Sequence, residues 1–451
     1  MSRSRILLVA APAVLGTVVL AAGTIALVGR WTRTPAVRVF VTGDVLVVRT
    51  AKPAVVYLAY GTTPAYGLFT APSRLARVHR FALTQLKPET RYDVRAVVAT
   101  AGRTSHADAV VLGPARPARA SLAIVGDHLE LDGRPWIARF VWNSCTTDYA
   151  AEAAIGINAF MSSGCGDTPQ AQDAAAARVG AVVIPWVGAA DANLPTTVAT
   201  FVVDEPDLTR IPPAQLAQQA SAYPGAHGLP VFETLSRYAY LRSLSPARGL
   251  YGSYASLASV LGIDIYPIFK TGDPNRLGDV AAAQRMLAAL AGGKPTYQWI
   301  EAIGHGTNPA NKPTPREIVA ETWMALTTGA RALGYWTYGP PPFAVDARTG
   351  RALQALDATI DSLAPAIDAA PVSLGLSDPG LDAFATQLDG ALYVFAVNPS
   401  PTHAVAETFT LAGLRGRELR VYRNGRTIAP AGDTFRDALA PLAWRVYLVP
   451  P

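Results

Sequence analysis

Two glutamates stand at the ends of apolar stretches in the middle of this 451-residue chain, at positions Glu205 and Glu301. Aromatic residues Tyr266, Trp299 and Trp336 lie at or beside the ends of similar stretches. Two carboxyls held close together can divide the work of a proton donor and of a base or nucleophile. Aromatic faces beside them can stack on the C–H surfaces of an uncharged ligand. These residue types therefore predict an acid–base site for a polar, hydroxyl-rich molecule.

The elements that must position these residues form a repeating pattern between residues 121 and 369. Apolar β-type runs alternate there with alanine-rich helical runs, which is typical of parallel strands joined by crossover helices. About eight such units in about 250 residues match a TIM barrel, whose functional residues lie at the carboxyl ends of the strands. A doubly wound open sheet is the alternative, although the chain lacks its glycine-rich phosphate loop. The predicted strands are 136–141, 157–162, 181–187, 200–204, 231–235, 262–266, 296–301 and 332–338.

Short motifs in this region resemble those of the retaining glycoside hydrolases whose acid/base lies on barrel strand four and whose nucleophile lies on strand seven. The segment 127–136, DHLELDGRPW, is similar to the hairpin that precedes the barrel in many of these enzymes. The segment 262–267, GIDIYP, is similar to the end of their sixth strand. By this resemblance Glu205 is the general acid/base and Glu301 the nucleophile. The resemblance implies an O-glycosyl hydrolase that cleaves an oligo- or polysaccharide by double displacement and needs no cofactor or metal.

The same resemblance gives roles to neighbouring residues. Trp336 resembles the floor of the sugar-binding subsite, and Tyr266 resembles the tyrosine that donates a hydrogen bond to the nucleophile. Arg139, on strand one, is a candidate for holding the charge of that carboxylate. Asn143, at the end of strand one, and Trp299, near the end of strand seven, are further candidates for contact with sugar.

One residue departs from the family pattern. These enzymes usually have Asn before the acid/base, where this chain has Asp204. An ionised Asp can accept a hydrogen bond from a sugar hydroxyl but cannot donate one. Strand alternation points Asp204 away from Glu205 unless a bulge intervenes. The departure keeps open an alternative, a catalytically inactive, glycosidase-like cell-surface protein that binds carbohydrate or mediates adhesion.

The two cysteines of the chain, Cys145 and Cys165, follow predicted strands one and two. The loops after adjacent strands are neighbours on the same face of a barrel, so a disulfide between them is expected in an exported protein. Two free buried thiols are the alternative.

Two β-rich regions flank the predicted barrel. Residues 37–113 read as short strands broken by turns, and the segment 86–92, LKPETRY, resembles the tyrosine corner of fibronectin type III domains around Tyr92. Residues 114–120 contain two prolines and are predicted to form an extended linker. Residues 371–451 resemble the β-sandwich that often packs against glycosidase barrels, for which a structural role is favoured over carbohydrate binding.

The first thirty residues predict where the protein is located. The run Ile6–Val28 carries no charge and is long enough to span a bilayer, which favours an uncleaved transmembrane signal anchor over a cleaved signal peptide. The body would then lie outside the cytoplasm, either on the cell membrane or, after cleavage, secreted. The net charge of +6 comes from scattered arginines without a basic run, so nucleic-acid binding is not expected. The sequence leaves the oligomeric state open.

Overall fold

The computed structural model describes residues 37–42, 45–83, 85–100, 103–115, 117–241, 247, 249–302, 311–337 and 346–451. The described chain divides into two compact units. The first comprises residues up to 66 together with 72–115, and the second comprises 67–71 together with 116–451. The predicted signal anchor at 1–30 lies outside the described residues.

The first unit is an antiparallel β module around a core of buried aliphatic side chains. Four of its strands run in the order β1-β2-β5-β6, and β4 also pairs with β2. The hydroxyl of Tyr92 accepts a hydrogen bond from the backbone N–H of Lys87 at 3.2 Å, which is the bond expected of a tyrosine corner. Membership of the fibronectin type III family stays a prediction. The strands are β1 (Arg38–Thr42), β2 (Val45–Gly61), β4 (Ala76–Ala82), β5 (Arg91–Thr100) and β6 (Arg103–Leu112).

The second unit contains eight parallel strands that curl into a barrel. Their spatial order is β12-β11-β10-β17-β16-β15-β14-β13. Isolated parallel bridges from Val183 to Thr197 and from Trp186 to Phe201 bring the two ends of this sheet together. A nearly closed eight-stranded parallel barrel confirms the predicted TIM architecture and excludes the open sheet. The strands are β10 (Ala138–Trp142), β11 (Ala159–Met161), β12 (Val182–Ile184), β13 (Thr200–Asp204), β14 (Val231–Leu235), β15 (Val260–Asp264), β16 (Thr296–Glu301) and β17 (Ala330–Trp336).

Helices surround the barrel and begin with strong capping signals. The side chain of Thr314 caps helix α8 through a capping box with Glu317, and Thr168 caps α2 ahead of a proline in its first turn. The helices are α1 (Tyr149–Ala154), α2 (Pro169–Val179), α3 (Pro206–Thr209), α4 (Pro213–Ala222), α5 (Tyr251–Leu257), α6 (Pro267–Thr271), α7 (Gly278–Ala291), α8 (Pro315–Thr327) and α9 (Ala347–Ile367). Every helix among the described residues falls short of the length or the apolarity that a membrane span requires.

Aromatic rings fill the interior of the barrel. The ring of Phe140 meets those of Tyr297 and Trp299 edge to face, with centroids 5.3 and 5.2 Å apart. Glycines face these rings on neighbouring strands, and a Cβ on Gly262 or Gly334 would lie within 2.3 Å of one of them. The interior is therefore a packed core, and a TIM barrel of this kind binds its ligand at the carboxyl ends of the strands.

The predicted hairpin precedes the barrel as the three-stranded sheet β7 (Leu122–Val125), β8 (His128–Leu131) and β9 (Arg134–Pro135). It turns at Asp132 and Gly133, both with positive φ, as a two-residue hairpin turn requires. Residues 67–71, which belong to the second unit, contain the two-residue strand β3 (Leu68–Phe69).

The C-terminal region forms two antiparallel sheets, β18-β20-β21-β26-β23-β24 and β19-β22-β25. Trp323 of helix α8 stacks on Trp444 and Phe395 of this region, with centroids 4.9 and 6.2 Å away, so apolar contacts join it to the barrel. The strands are β18 (Ala370–Val372), β19 (Gly375–Leu376), β20 (Asp382–Leu388), β21 (Ala391–Val397), β22 (Val405–Thr410), β23 (Leu419–Val421), β24 (Thr427–Ile428), β25 (Thr434–Leu439) and β26 (Trp444–Val449).

Candidate active site

The end of strand β13 is irregular in a way that matters for its carboxyls. The pairing with β14 shifts register between Phe201 and Asp204, so a bulge interrupts the alternation of side chains. Glu205 then has a left-handed backbone, with φ of +45°, directly before Pro206. A non-glycine residue in this region carries backbone strain, which is common at functional sites. The bulge meets the condition under which Asp204 and Glu205 can share one site.

Asp204 and Glu205 lie in a cluster of carboxyls at the carboxyl ends of the strands. Asp264, the last residue of β15, lies within hydrogen-bonding reach of Glu205. The hydroxyl of Tyr266 donates a hydrogen bond to Asp264 at 2.8 Å. A hydrogen bond between two carboxyls requires a proton on one of them, so this pair favours a state in which either Asp264 or Glu205 is protonated.

The cluster resists ionisation. Burial, followed by the charges of Glu205 and Asp207, raises the pKa of Asp204 to about 7. Burial also raises the pKa of Glu205, against the opposing effect of its bond to Asp264. The pKa of Asp264 lies well above its usual range because of burial and then the charges of Asp204 and Glu205. Such a cluster keeps at least one carboxylic acid protonated at neutral pH, which general acid catalysis needs.

An aromatic wall stands beside the carboxyls. Tyr266 and the half-buried Trp336 stack with centroids 4.3 Å apart and planes 14° from parallel. Phe269 of α6 meets Trp336 edge to face at 5.1 Å, and the ammonium of the exposed Lys270 lies over the ring of Phe269. Tyr266 therefore links the wall to the acids, as its hydroxyl bonds Asp264 while its ring stacks on Trp336.

Glu301, the last residue of β16, is fully buried. Its two oxygens accept hydrogen bonds from the backbone N–H groups of Ile268 and Phe269, at 2.7 and 2.6 Å. The carboxyl of Glu321 on helix α8 is also fully buried, and burial and the charge of Glu301 raise its pKa well above the usual range. Burial raises the pKa of Glu301 itself to about 7. In this geometry Glu301 anchors the first turn of α6 and presents no free oxygen to a ligand.

The expected bond from Tyr266 to Glu301 is replaced by the bond from Tyr266 to Asp264. Trp299 is also placed differently from the expectation. It is 2% exposed, its indole N–H donates to the hydroxyl of Thr234 at 3.1 Å, and it belongs to the barrel interior. Trp299 therefore supports the floor of the site from below and is not an open sugar platform.

The predicted role of Arg139 in holding a catalytic carboxylate is wrong. Its side chain is 1% exposed and points to the helix layer, where its guanidinium bonds Asp361 at 2.6 Å and lies 3.7 Å from Asp357, both on α9. The physical reason is strand alternation: Ala138 and Phe140 belong to the core of the barrel, so Arg139 faces outward. Arg139 ties the wall of the barrel to α9.

The loops after strands one and two meet as predicted. Cys145 and Cys165 form a disulfide, with their Cα atoms 5.4 Å apart. Asn143 has a left-handed backbone with φ of +53°, and its N–H donates to the carbonyl of Met161 on the next strand. Asn143 thus shapes the join between these two loops at the rim of the barrel.

Asp264 is the site residue to which sequence reasoning gave too little weight. The sequence places it at the end of strand six, within the GIDIYP motif, and leaves open whether it lines the site or bonds polar groups of the barrel wall. Its spacing of two residues from Tyr266 was the available signal, because alternating residues of a strand share a face. The interaction of Glu301 with Glu321 left no local signal, since the two lie on different elements twenty positions apart.

Comparisons with known proteins give similarity in solved structures only. No protein-family model and no curated protein matches the sequence. Among solved structures, the chain is similar to an alpha-amylase from Geobacillus thermoleovorans, at 12% identity and a TM-score of 0.46, over 70% of this chain and 98% of the amylase. It is similar to a GH30 endoxylanase from Clostridium papyrosolvens, at 13% identity and a TM-score of 0.41, over 74% and 100%. It is also similar to a putative alpha-galactosidase from Bacteroides fragilis, at 11% identity and a TM-score of 0.46, over 90% and 95%.

Proposed function

We propose that this chain is an O-glycosyl hydrolase that acts on an oligo- or polysaccharide. The observation that carries the proposal is the cluster of Asp204, Glu205 and Asp264, three carboxyls with raised pKa values at the carboxyl ends of barrel strands. Glycosidic bond cleavage needs one protonated carboxyl and a second that acts as base or nucleophile. The stack of Tyr266 and Trp336 beside the cluster offers an aromatic face to the sugar ring.

We assign the general acid/base to Glu205, as the sequence predicts. Its raised pKa favours the protonated form, and its contact with Asp264 allows the two carboxyls to share the proton. In the first step Glu205 gives this proton to the leaving-group oxygen, and in the second step it removes a proton from water. Asp264 and Tyr266 act as positioning residues in this scheme, since each reaches the substrate through Glu205 or the aromatic wall.

We assign the nucleophile to Asp204 and not to Glu301. Neighbouring groups crowd the carboxyl of Asp204 and raise its pKa, yet the residue keeps accessible surface at the end of its strand. Both oxygens of Glu301, in contrast, are buried and bonded to backbone N–H groups. The charge of Glu205 also raises the pKa of Asp204, as expected of two carboxyls in one site. Retaining enzymes hold their two carboxyls ~5–5.5 Å apart, and two carboxyls on neighbouring residues of one strand end are compatible with such a spacing. The reaction would therefore be a double displacement at Asp204.

This scheme explains why the chain has Asp204 where the resembling enzymes usually have Asn. A carboxylate at this position can attack the anomeric carbon, which an amide cannot do. The same departure is compatible with the alternative function, a barrel that binds carbohydrate without cleaving it. The two functions differ in turnover, and turnover is what the following experiment measures.

The test is a screen of the purified full-length chain against activated aryl glycosides and polysaccharides. We expect turnover of at least one of them, and a loss of at least ~10²-fold on natural polysaccharide in Glu205→Gln, which removes general acid catalysis. Glu418→Gln changes an exposed residue just before β23 in the C-terminal region; it is the matched control and should keep full activity. Binding of polysaccharide without turnover by the wild-type chain would replace the hydrolase with the binding protein.

We also propose that the protein is held on the outer side of a membrane by residues 1–30. The support is the uncharged run Ile6–Val28 in the sequence, together with a disulfide that persists best in an oxidising compartment.

A further inference from the structure

A cleft between the barrel and the C-terminal sheets concentrates positive charge. It has a volume of about 670 Å³ and lies between helices α8 and α9 on one side and strands β23 and β26 on the other. Arg316, Arg348, Arg423 and Arg445 line it, and its described lining contains no Asp or Glu. Its volume lies within the range of ~300–1,000 Å³ typical of small-ligand sites.

The charges of these arginines are not neutralised by the part of the chain that the structure describes, where none of the four forms an ion pair. Arg316 donates to the carbonyl oxygen of Pro441, and Arg423 donates to the hydroxyl of Thr359. The buried Nε of Arg445 has no described hydrogen-bond acceptor. Other arginines of the same unit do pair with carboxylates, as in Arg139–Asp361, Arg276–Asp279, Arg285–Asp382 and Arg426–Asp437. Four unmatched guanidinium groups around one cavity favour an anionic occupant.

The walls between the arginines are apolar and held in place. Trp444 is fixed by its stack on Trp323, and the hydroxyl of Tyr422 bonds that of Ser362 at 2.8 Å. The small residues Ala352 and Ala355 of α9 leave the cavity open between the two walls. Rigid rings beside guanidinium forks suit a ligand that has both apolar C–H faces and carboxylates.

Two arginines of the cleft lie on the face of the barrel that carries the proposed active site. Arg316 and Arg348 lie in the first turns of α8 and α9, the helices that follow barrel strands seven and eight. Because each barrel helix starts at the face where its preceding strand ends, these two arginines lie on the same face as the carboxyl cluster.

We propose that this cleft binds a carboxylate-bearing saccharide, such as a segment of a polyuronate chain. The requirement for negative charge comes from the cleft itself, and the requirement for a sugar rests on the proposed function. The ligand's carboxylates would pair with Arg348 and Arg423 at the exposed edges, and a ring face would lie along the partly exposed Trp444.

Calorimetric titration of the full-length chain with tetragalacturonic acid tests the proposal. The matched ligands are its fully methyl-esterified form, which lacks the charges, and inorganic phosphate, which lacks the sugar. The double variant Arg348→Gln/Arg423→Gln removes two exposed charges of the cleft. The control variant Arg351→Gln removes one exposed charge of the same helix outside the cleft. Thermal unfolding of each variant reports whether the fold is intact.

We expect the acid to bind the wild-type chain, to bind more weakly as salt rises, and to lose at least ~30-fold in affinity in the double variant. Arg351→Gln should bind like the wild type, and the ester and phosphate should bind at least ~10-fold more weakly than the acid. Equal affinity of the acid for wild type and double variant would overturn the proposal, as would phosphate or ester that binds as tightly as the acid.

The double variant should also hydrolyse small neutral aryl glycosides at the wild-type rate, because the cleft lies outside the carboxyl cluster. A chain that binds the acid through these arginines but hydrolyses nothing would support the cleft and contradict only the proposed function.

Discussion

Replacement of Arg139 by methionine should strongly destabilise the second unit, because it leaves buried carboxylate charge without its partner. The guanidinium is 1% exposed and serves Asp361, Asp357 and two backbone carbonyls. Removal of one partner from a buried ion pair costs ~3–5 kcal/mol in the free energy of unfolding. Methionine keeps most of the length of the side chain, so little of this loss comes from a cavity.

The loss of stability in Arg139→Met should depend on pH, and the buried carboxyl of Asp357 determines the direction of that dependence. Burial, opposed by Arg139 and the hydroxyl of Tyr335, raises the pKa of Asp357 to about 7. Between its unfolded pKa of ~3.9 and its folded pKa, the folded state keeps a proton that the unfolded state has lost, so stability falls as pH rises. Without Arg139 the folded pKa rises further, and this fall continues to higher pH. The destabilisation by Arg139→Met should therefore be at least ~1.4 kcal/mol larger at pH 8.5 than at pH 5.5.

Urea unfolding followed by tryptophan fluorescence measures this effect, since every tryptophan except Trp31 lies in the second unit. Arg276→Met is the matched control, because Arg276 is half exposed and its pair with Asp279 should be worth at most ~1 kcal/mol. A loss below ~1 kcal/mol in Arg139→Met, or the same loss at both pH values, would refute the reasoning.

Three further predictions address chemistry, covalent structure and location. The acidic limb of kcat/KM should show an apparent pKa near 7, because Asp204 must be ionised to attack; a limb below pH 5 would count against Asp204 as nucleophile. Native protein should yield no alkylatable thiol and one crosslinked peptide that joins Cys145 and Cys165, whereas two free thiols would contradict the bond. Full-length protein should stay in the membrane pellet after alkaline carbonate extraction, and complete release would contradict an anchor at Ile6–Val28.

The barrel could be predicted from the sequence because its strands are local apolar runs. Strands 200–204, 231–235 and 296–301 were predicted with the bounds that the structure gives them, and the other five lie within a few residues. Their flanking glycines, prolines and capping residues mark the ends chemically, so little tertiary information was needed.

The direction in which each side chain points was harder to predict, because a β-bulge or a few hydrogen bonds can change it. Strand alternation alone places the side chain of Arg139 outside the barrel, whereas the resemblance to a family predicted a role for it in the site. The bulge before Asp204 changes the side-chain direction that strand alternation predicts, and no residue type in the strand predicts the bulge. Glu301 continues the inward series of Tyr297 and Trp299, yet the backbone N–H groups of α6 bind its carboxylate. Those contacts depend on how α6 packs, which the sequence of strand seven does not encode.

Identification of the carboxylate that becomes covalently attached to sugar tests the central claim most directly. A 2-fluoro glycoside with an activated leaving group, chosen from the substrate screen, slows the second displacement and lets the glycosyl-enzyme accumulate. Proteolysis and mass spectrometry then locate the sugar. We expect the label to lie on Asp204 and to be absent in Asp204→Asn. A label on Glu301 would contradict the assignment and show that the bonds from Ile268 and Phe269 open when substrate binds.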